Sequence, residues 1–403
     1  MKNATRNVRF LERGEEFREN ARTGVSLHCH TLYSKEILDF VPYYAERIPV
    51  VSFFWRREMS RAVERNGFEP DFRSGFWSPP LNGREVFEME SANLKKLGLD
   101  SIVSITDHDS IQANLEIRDD LGNERVPVSL EWTVPFRNAF FHVGVHNLPV
   151  DQAEEITGQL LAYSNADGFP DNKRLHELFA MLNAFEDVLI VLNHPIWDIE
   201  MIGQQQHEWA LERFVMEHSR WIHAIEVNGF RTWEENEQAI QLAEDLGLPI
   251  ISGGDRHCMH ANTMVNVTDA ASFDEFVNEV RVHGYSRIIV TPEYHVPLPS
   301  RQLASIAQIL GNFDHFPQGR RLWSDRVRFD KRDGNGVRTL TEHWNGRQPL
   351  WSKIAFGALA VMAHPLMRPV VAVTVGDKDI GREETQGSNA IGLSGIRIQT
   401  DSL

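Results

Sequence analysis

One rhythm dominates this chain: short, β-branched apolar runs, each closed by a residue able to do chemistry, alternating with helix-patterned stretches. The runs are VSLHCH (25–30), SIVSITDHD (101–109), VPVSLEW (126–132), AFFHVGVH (139–146), VLIVLNHP (188–195), HAIEVNG (223–229) and PIISGGDRH (249–257). Between them lie helix-like segments such as GREVFEMESANLKKLG (83–98) and EENEQAIQLAEDLG (234–247), the second stopped by Gly247 and the Leu-Pro that follows. Strands alternating with helices imply right-handed β-α-β units and a parallel sheet. Seven such runs favour an α/β barrel over an open sheet. The polar residues His28/His30, Asp107/His108, Glu131, His142/His146, His194, Asn228 and Asp255/His257 fall at the C-terminal ends of these runs. In a barrel those ends converge on one mouth, where active sites are built.

Two regions break the rhythm. Residues 37–82 form a long insertion after the first strand, rich in aromatics (Phe40, Tyr43, Tyr44, Phe53, Phe54, Trp55, Phe72, Phe76, Trp77), and leave through the turn-rich SPPLNG. A loop after a barrel strand lies at the mouth, so this insertion is expected to act as a lid; the plainer alternative is a subdomain core without substrate contact. Beyond residue 300 the strand–helix rhythm fades. Residues 301–350 carry nine Lys/Arg against five acids, net +4, in a chain whose formal net charge is −16. That stretch reads as an accessory segment, with the polar, Gly-rich tail from about residue 376 expected to be mobile. The expected organisation is therefore a barrel over 1–300 and a C-terminal accessory segment over 301–403.

The acidic balance argues against long duplex nucleic acid as the main partner, since phosphate neutralisation needs clustered Lys and Arg. It permits short single-stranded ends, nucleotides or a small anionic ester. Only two cysteines occur, Cys29 and Cys258, so no disulfide framework is expected. The polar N-terminal stretch lacks the apolar run of a signal peptide. The apolar stretch 354–375 is interrupted by His364-Pro365 and Arg368-Pro369, which favours a buried helix–turn–strand over a membrane span. A soluble cytoplasmic protein is the expectation.

In a strand, residues i and i+2 share a side. His28 and His30 thus both face the barrel axis with Cys29 turned away, and Asp255 and His257 pair likewise with Arg256 turned aside. TDHD supplies Asp107 and His108, Glu131 ends VPVSLE, and His194 closes VLIVLNHP, where the following proline should hold it extended. Taken singly, each has a bland role: Asp107 or Asp255 as a helix N-cap, His194 as a satisfied core histidine. Taken together, several buried carboxylates and imidazoles are costly without cations to offset the charge. The donor set is imidazole and carboxylate without thiolate, which suits Zn²⁺, Mn²⁺ or Fe²⁺. Neither cysteine has a ligand spacing.

The order HxH, TDH, a lone Glu, His, NHP and GDxH resembles the PHP (polymerase and histidinol phosphatase) family over roughly residues 25–260, at most to 300, and says nothing about 301–403. The resemblance implies a distorted (β/α)7 TIM-like barrel with two or three metal ions at its C-terminal rim. It assigns His28, His30 and Asp255 to a first ion, Glu131 as a bridge to a second ion completed by His142 and His194, and His108 and His257 to a third. His146 rivals His142 for its place. The family commonly carries Asp or His a few residues after HxH; here the stretch is SKE, with Lys35 at that position. The third site is then absent, rebuilt with Glu36 or Asp39, or replaced in charge by Lys35, and two ions are the expectation.

The function that follows is a metal-dependent hydrolase, foremost a phosphoesterase acting through a metal-bridging hydroxide. Carbamate or carboxylic ester hydrolysis on the same site, and a non-catalytic metal-binding interaction module, are the alternatives. Arg231 in NGFRT is the foremost cation to meet developing negative charge, with Arg256 and Lys35 behind it. His257, His108 or Asp107 would protonate the leaving group.

Overall fold

A computed structural model describes residues 7–15, 17, 21–38, 42, 45–46, 51–122, 126–166, 168 and 171–375. Asp39, Phe40, Tyr43, Tyr44 and the tail from 376 lie outside the described residues. The strands are β1 (Val8–Phe10), β2 (Thr23–Leu27), β3 (Glu36–Ile37), β4 (Asp71–Trp77), β5 (Asp100–Ser104), β6 (Leu130–Phe136), β7 (Ala139–His146), β8 (Leu189–Leu192), β9 (Ala224–Asn228), β10 (Ile250–Gly253), β11 (Met264–Thr268), β12 (Ile288–Val290), β13 (Val327–Asp330) and β14 (Val337–Thr339). The helices are α1 (Val51–Asn66), α2 (Gly83–Lys96), α3 (Gln112–Leu121), α4 (Ala153–Ser164), α5 (Asn172–Asn183), α6 (Gln204–His218), α7 (Trp233–Leu246), α8 (Phe273–Arg281), α9 (Leu298–Ile309), α10 (Leu340–His343), α11 (Leu350–Met362) and α12 (Arg368–Val375). Local chemistry sets their ends. Asn82 and Thr232 build reciprocal capping boxes with Glu85 and Glu235 at the starts of α2 and α7, and Gly247 ends α7 at φ 68°.

The strands form a mixed α/β arrangement of two five-stranded sheets, β1-β12-β11-β2-β5 and β10-β9-β8-β7-β6, and a four-stranded sheet, β14-β13-β4-β3. Two differences from the sequence reading stand out. The strand ladders do not close into a barrel among the described residues. And β7 runs antiparallel to both β6 and β8, because β6 and β7 are joined by a tight hairpin at Arg137 and Asn138 rather than by a crossover helix. The two larger sheets meet through isolated bridges, Cys29 with Arg256 and His108 with Glu131. At the first seam His30 N–H donates to Arg256 O at 2.7 Å; at the second, Asp109 N–H donates to Glu131 O at 2.9 Å.

The largest core cluster packs β6 to β9 against α4 to α7 around Trp132, Phe141, Phe179 and Phe214, all nearly fully buried. At roughly 25 cal/mol per Å² of apolar surface removed from water, such aromatic burial is the main force holding the helices to the sheet.

The insertion and the C-terminal region fold together. β4 pairs with β13 in antiparallel register, Trp77 opposite Val327, and with β3, Trp77 opposite Glu36. Phe72 stacks on Phe329 at 5.1 Å, and Phe54 of α1 on Trp351 at 5.8 Å. The 354–375 stretch departs from expectation: it forms α11, a 3-10 turn and α12 instead of a helix–turn–strand, and apart from Val371 its described side chains are exposed or only partly buried. Ser352 is the buried residue of α11, while Leu350, Ile354 and Leu366 are 72%, 64% and 81% exposed. Among the described residues no single helix is long and apolar enough to cross a membrane; α11 with Pro365–Val371 passes only as a pair bent by 70°.

Candidate metal centre

The two seams between the large sheets are where the chemistry-bearing residues gather. β2 stops at Leu27 and β10 at Gly253, so His28 and Asp255 lie just past the regular ladder, in left-handed backbone at φ 64° and 48°. His194 is left-handed too, at φ 27°, which corrects the extended conformation expected from its proline neighbour. Non-glycine residues adopt this region at a cost of about 1–3 kcal/mol and persist there only when their surroundings hold them. Here the hold is a shared set of charged partners.

Glu131, fully buried on β6, is the hub. Its Oε2 lies 3.0 Å from His28 Nε2, 3.4 Å from His30 Nε2 and 3.4 Å from His108 Nδ1. Its Oε1 lies 3.2 Å from His194 Nε2 and 3.3 Å from His142 Nδ1, and accepts from Asn193 Nδ2 at 2.9 Å. Asp255 Oδ1 sits 3.5 Å from His30 Nε2, 3.7 Å from His257 Nδ1 and 3.8 Å from His28 Nε2. The structure thus brings together His28, His30, His108, Glu131, His142, His194, Asp255 and His257.

Four further candidates lie outside this set. Both Asp107 oxygens accept from Thr31, from its N–H and its hydroxyl, so this carboxylate braces the loop after β2. Arg231 donates to Asp255 Oδ2 at 2.8 Å and lies 3.7 Å over the Trp197 ring, a brace for Asp255. Arg256 does turn away from the cluster, but it is buried: its Nε donates to His260 O and its guanidinium lies over Phe230. Lys35 is exposed, with its ammonium over the Phe76 ring.

His142 and His146, rivals in the sequence, occupy different places. Because β7 is antiparallel to its neighbours, its first half lies at the rim and its last residue, His146, pairs with Leu189 at the start of β8. His146 meets Ser104 Oγ at 2.8 Å and stands outside the cluster.

Two carboxylates complete the centre. Glu36 of β3 has Oε2 3.2 Å from His257 Nε2 and 3.3 Å from His108 Nε2, and accepts from Ser34 at 2.6 Å. Glu226 of β9, which the sequence reading passed over, has Oε1 2.6 Å from His28 Nδ1 and accepts the His194 N–H through Oε2 at 2.9 Å. Its signal was present: one carboxylate inside the apolar run HAIEVNG is costly unless paired. Gly253 makes the room, since a Cβ there would fall 1.6 Å from Glu226 Oε1.

With protons as the only cations, the electrostatics are sharply divided. Burial alone would raise the Glu131 carboxyl, yet His28, His142 and His108 hold it well below the usual range. Burial would lower His28, but Glu131 and Glu226 drive it well above the ordinary imidazole value. Burial pulls His30 and His142 down to about 4, while Glu36 and Glu131 overcome burial to lift His108 to about 10.

These residues fit metal ions. His30 Nε2, His108 Nδ1 and His142 Nδ1 point at Glu131 from 3.3–3.4 Å, yet none makes a well-formed hydrogen bond. Buried imidazole nitrogens aimed at one carboxylate without bonding it are the donor arrangement of a shared cation. Four overlapping triads bring their donor atoms within 4.8 Å: His28–His30–Glu131, His28–His194–Glu226, His30–Glu36–His257 and His108–Glu131–His142. Nitrogen and oxygen donors without sulfur suit zinc, manganese or iron.

No family model matches this chain, and no curated protein matches it. Solved structures do. PsfC from Pseudomonas syringae aligns at 16% identity over 68% of this chain and 93% of its own, with a TM-score of 0.38. An amidohydrolase from Chromobacterium violaceum aligns at 15% identity over 45% and 84%, with a TM-score of 0.29. A protein from Bifidobacterium adolescentis described as a metal-dependent phosphoesterase aligns at 13% identity over 66% and 98%, with a TM-score of 0.34.

Proposed function

We propose that this protein is a metal-dependent hydrolase of the PHP type, acting on phosphate mono- or diesters at the centre around Glu131. One observation carries the reading: the two oxygens of a single buried carboxylate face two separate imidazole sets, His28 and His30 on one side, His142 and His194 on the other. In this reading β2 and β5–β10 act as one ring whose seams form the rim. His28, His30, Asp255 and Glu131 would hold one ion, and Glu131, His142 and His194 a second, of zinc, manganese or iron. Such a pair supplies an activated water and charge stabilisation at the phosphoryl oxygens.

The protein's own groups do the rest. Arg231 fixes Asp255, and Glu226 fixes the His28 ring, so neither ligand reorients during turnover. His108 and His257 are the more exposed cluster imidazoles, at 13% and 15% against 8% or less for the others. Glu36 raises the proton affinity of both against burial. Facing the opening, they are placed to hand a proton to the leaving oxygen. The sheet shared by the insertion and the C-terminal region roofs this opening, with Trp77 5.5 Å from His257 and the cations of Lys35 and Arg328 over Phe76. A small, anionic, ring-bearing ester suits that roof.

The test is turnover of p-nitrophenyl phosphate, its bis-ester and p-nitrophenyl acetate with added Mn²⁺ or Zn²⁺. Phosphate ester cleavage that vanishes with chelator is expected. Cleavage of the acetate alone would replace the reading with a carboxylic ester hydrolase. Bound metal with no turnover of any of the three would replace it with a binding module.

A further inference from the structure

A second group of metal-capable side chains meets away from the rim. His176 of α5 and Glu217 and His218 in the last turn of α6 each bring a donor atom within 4.8 Å of the others. His218 is fully buried, ringed by Phe214, Phe179, Phe136 and Trp221 at centroid distances of 5.0–6.0 Å. Neither of its ring nitrogens has a hydrogen-bond partner, and the buried Nε2 of His176, whose ring centroid is 4.8 Å away, has none either. A neutral imidazole always presents one N–H and one lone pair, and burying them unmatched costs about 1–3 kcal/mol per group. Two such rings turned toward each other beside a carboxylate need an explanation that aromatic packing alone does not give.

We propose that His176, His218 and Glu217 bind a divalent transition-metal ion, zinc by their donor chemistry, in a site that ties α5 to α6. Two imidazoles and a carboxylate, with water as fourth ligand, meet the tetrahedral preference of Zn²⁺. The outer contacts that orient a ligating carboxylate are in place: Glu217 Oε1 accepts from Arg137 Nη2 at 2.8 Å and Oε2 from Asn172 Nδ2 at 2.6 Å. Arg137 is itself fixed, its guanidinium lying over the Phe136 and Trp209 rings. With one His218 nitrogen on the ion, the remaining N–H faces the surrounding rings, a weak but favourable contact. The site shares no residue with the cluster around Glu131, so it stands or falls independently of the catalytic reading.

The test uses the full chain, dialysed against metal-free buffer after loading with zinc, with metal counted by mass spectrometry. His176→Gln should remove a single zinc per chain, abolish one set of visible d–d bands in the cobalt-loaded protein and shrink the rise in Tm on adding zinc. His218→Asn should do the same. If the fully buried His218 variant fails to fold, the half-buried His176 variant decides alone. Zinc content equal to the parent in a folded His176→Gln protein overturns the proposal, as does a parent whose bound zinc disappears entirely with Glu131→Ala.

Discussion

At the rim end of β7, His142 faces a buried carboxylate 3.3 Å away and belongs to a set of donors converging from the neighbouring strands and the turns that follow them. At the far end of the same strand, four residues on, His146 meets a serine hydroxyl at 2.8 Å. Both rings lie within the fold and burial lowers the affinity of both for protons, to about 4 and about 3. What separates them is the partner each ring touches. Strand direction decided it: an antiparallel β7 presents its early residues, not its last, to the end where neighbouring strands deliver theirs. Residue type and burial do not make a site; convergence does.

Removing the convergence point should break this contrast most completely. Glu131→Ala is expected to lose bound metal and to lower phosphate ester turnover by on the order of a thousandfold or more, since it removes several kcal/mol of stabilisation; metal analysis and initial rates check both. Next comes the strand itself. His142→Ala should weaken metal affinity by about 100-fold or more, beyond the loss of an outer-shell partner, while His146→Ala leaves affinity unchanged and costs about 1–3 kcal/mol of stability, read by metal titration and denaturant melts. Equal metal loss in the two variants would erase the contrast.

Glu226→Gln tests the support behind His28. It keeps the shape but removes the charge, and a drop of roughly tenfold in metal affinity is expected. The smallest effect concerns acid. The folded-state value for His146 lies near 3, against 6.5 for a free imidazole, because burial disfavours its charge and His28 adds repulsion. The unfolded chain therefore binds more protons between those values, so this stability term is full above 6.5 and lost as pH falls. In His146→Gln the metal-free protein should lose about 2 kcal/mol less than the parent between pH 6.5 and about pH 5. Parallel acid profiles for the two proteins would contradict that.

Much of the centre was legible because polar residues ending apolar runs are expensive unless they converge. The runs mark β2 and β5–β10, with boundaries off by a few residues. The period of two does bring His28 with His30 and Asp255 with His257 into one cluster, although the backbone there has already left the strand. Where a ladder stops is decided by neighbours distant in the chain, so the left-handed turns at His28, His194 and Asp255 carry no local mark. The direction of β7 was hidden for the same reason. The pairing of residues 71–77 with 327–330 spans most of the sequence, and no turn or motif in either segment announces it. The exposure of α11 was masked by composition, since an apolar run reads as core whether or not anything covers it.

Whether Glu131 joins two ions is read directly by anomalous diffraction from crystals grown with Mn²⁺ or Zn²⁺, recorded at the metal edge. Two peaks flanking Glu131 are expected, one against His28, His30 and Asp255, the other against His142 and His194. Saturating metal with no anomalous density among those side chains would contradict that arrangement.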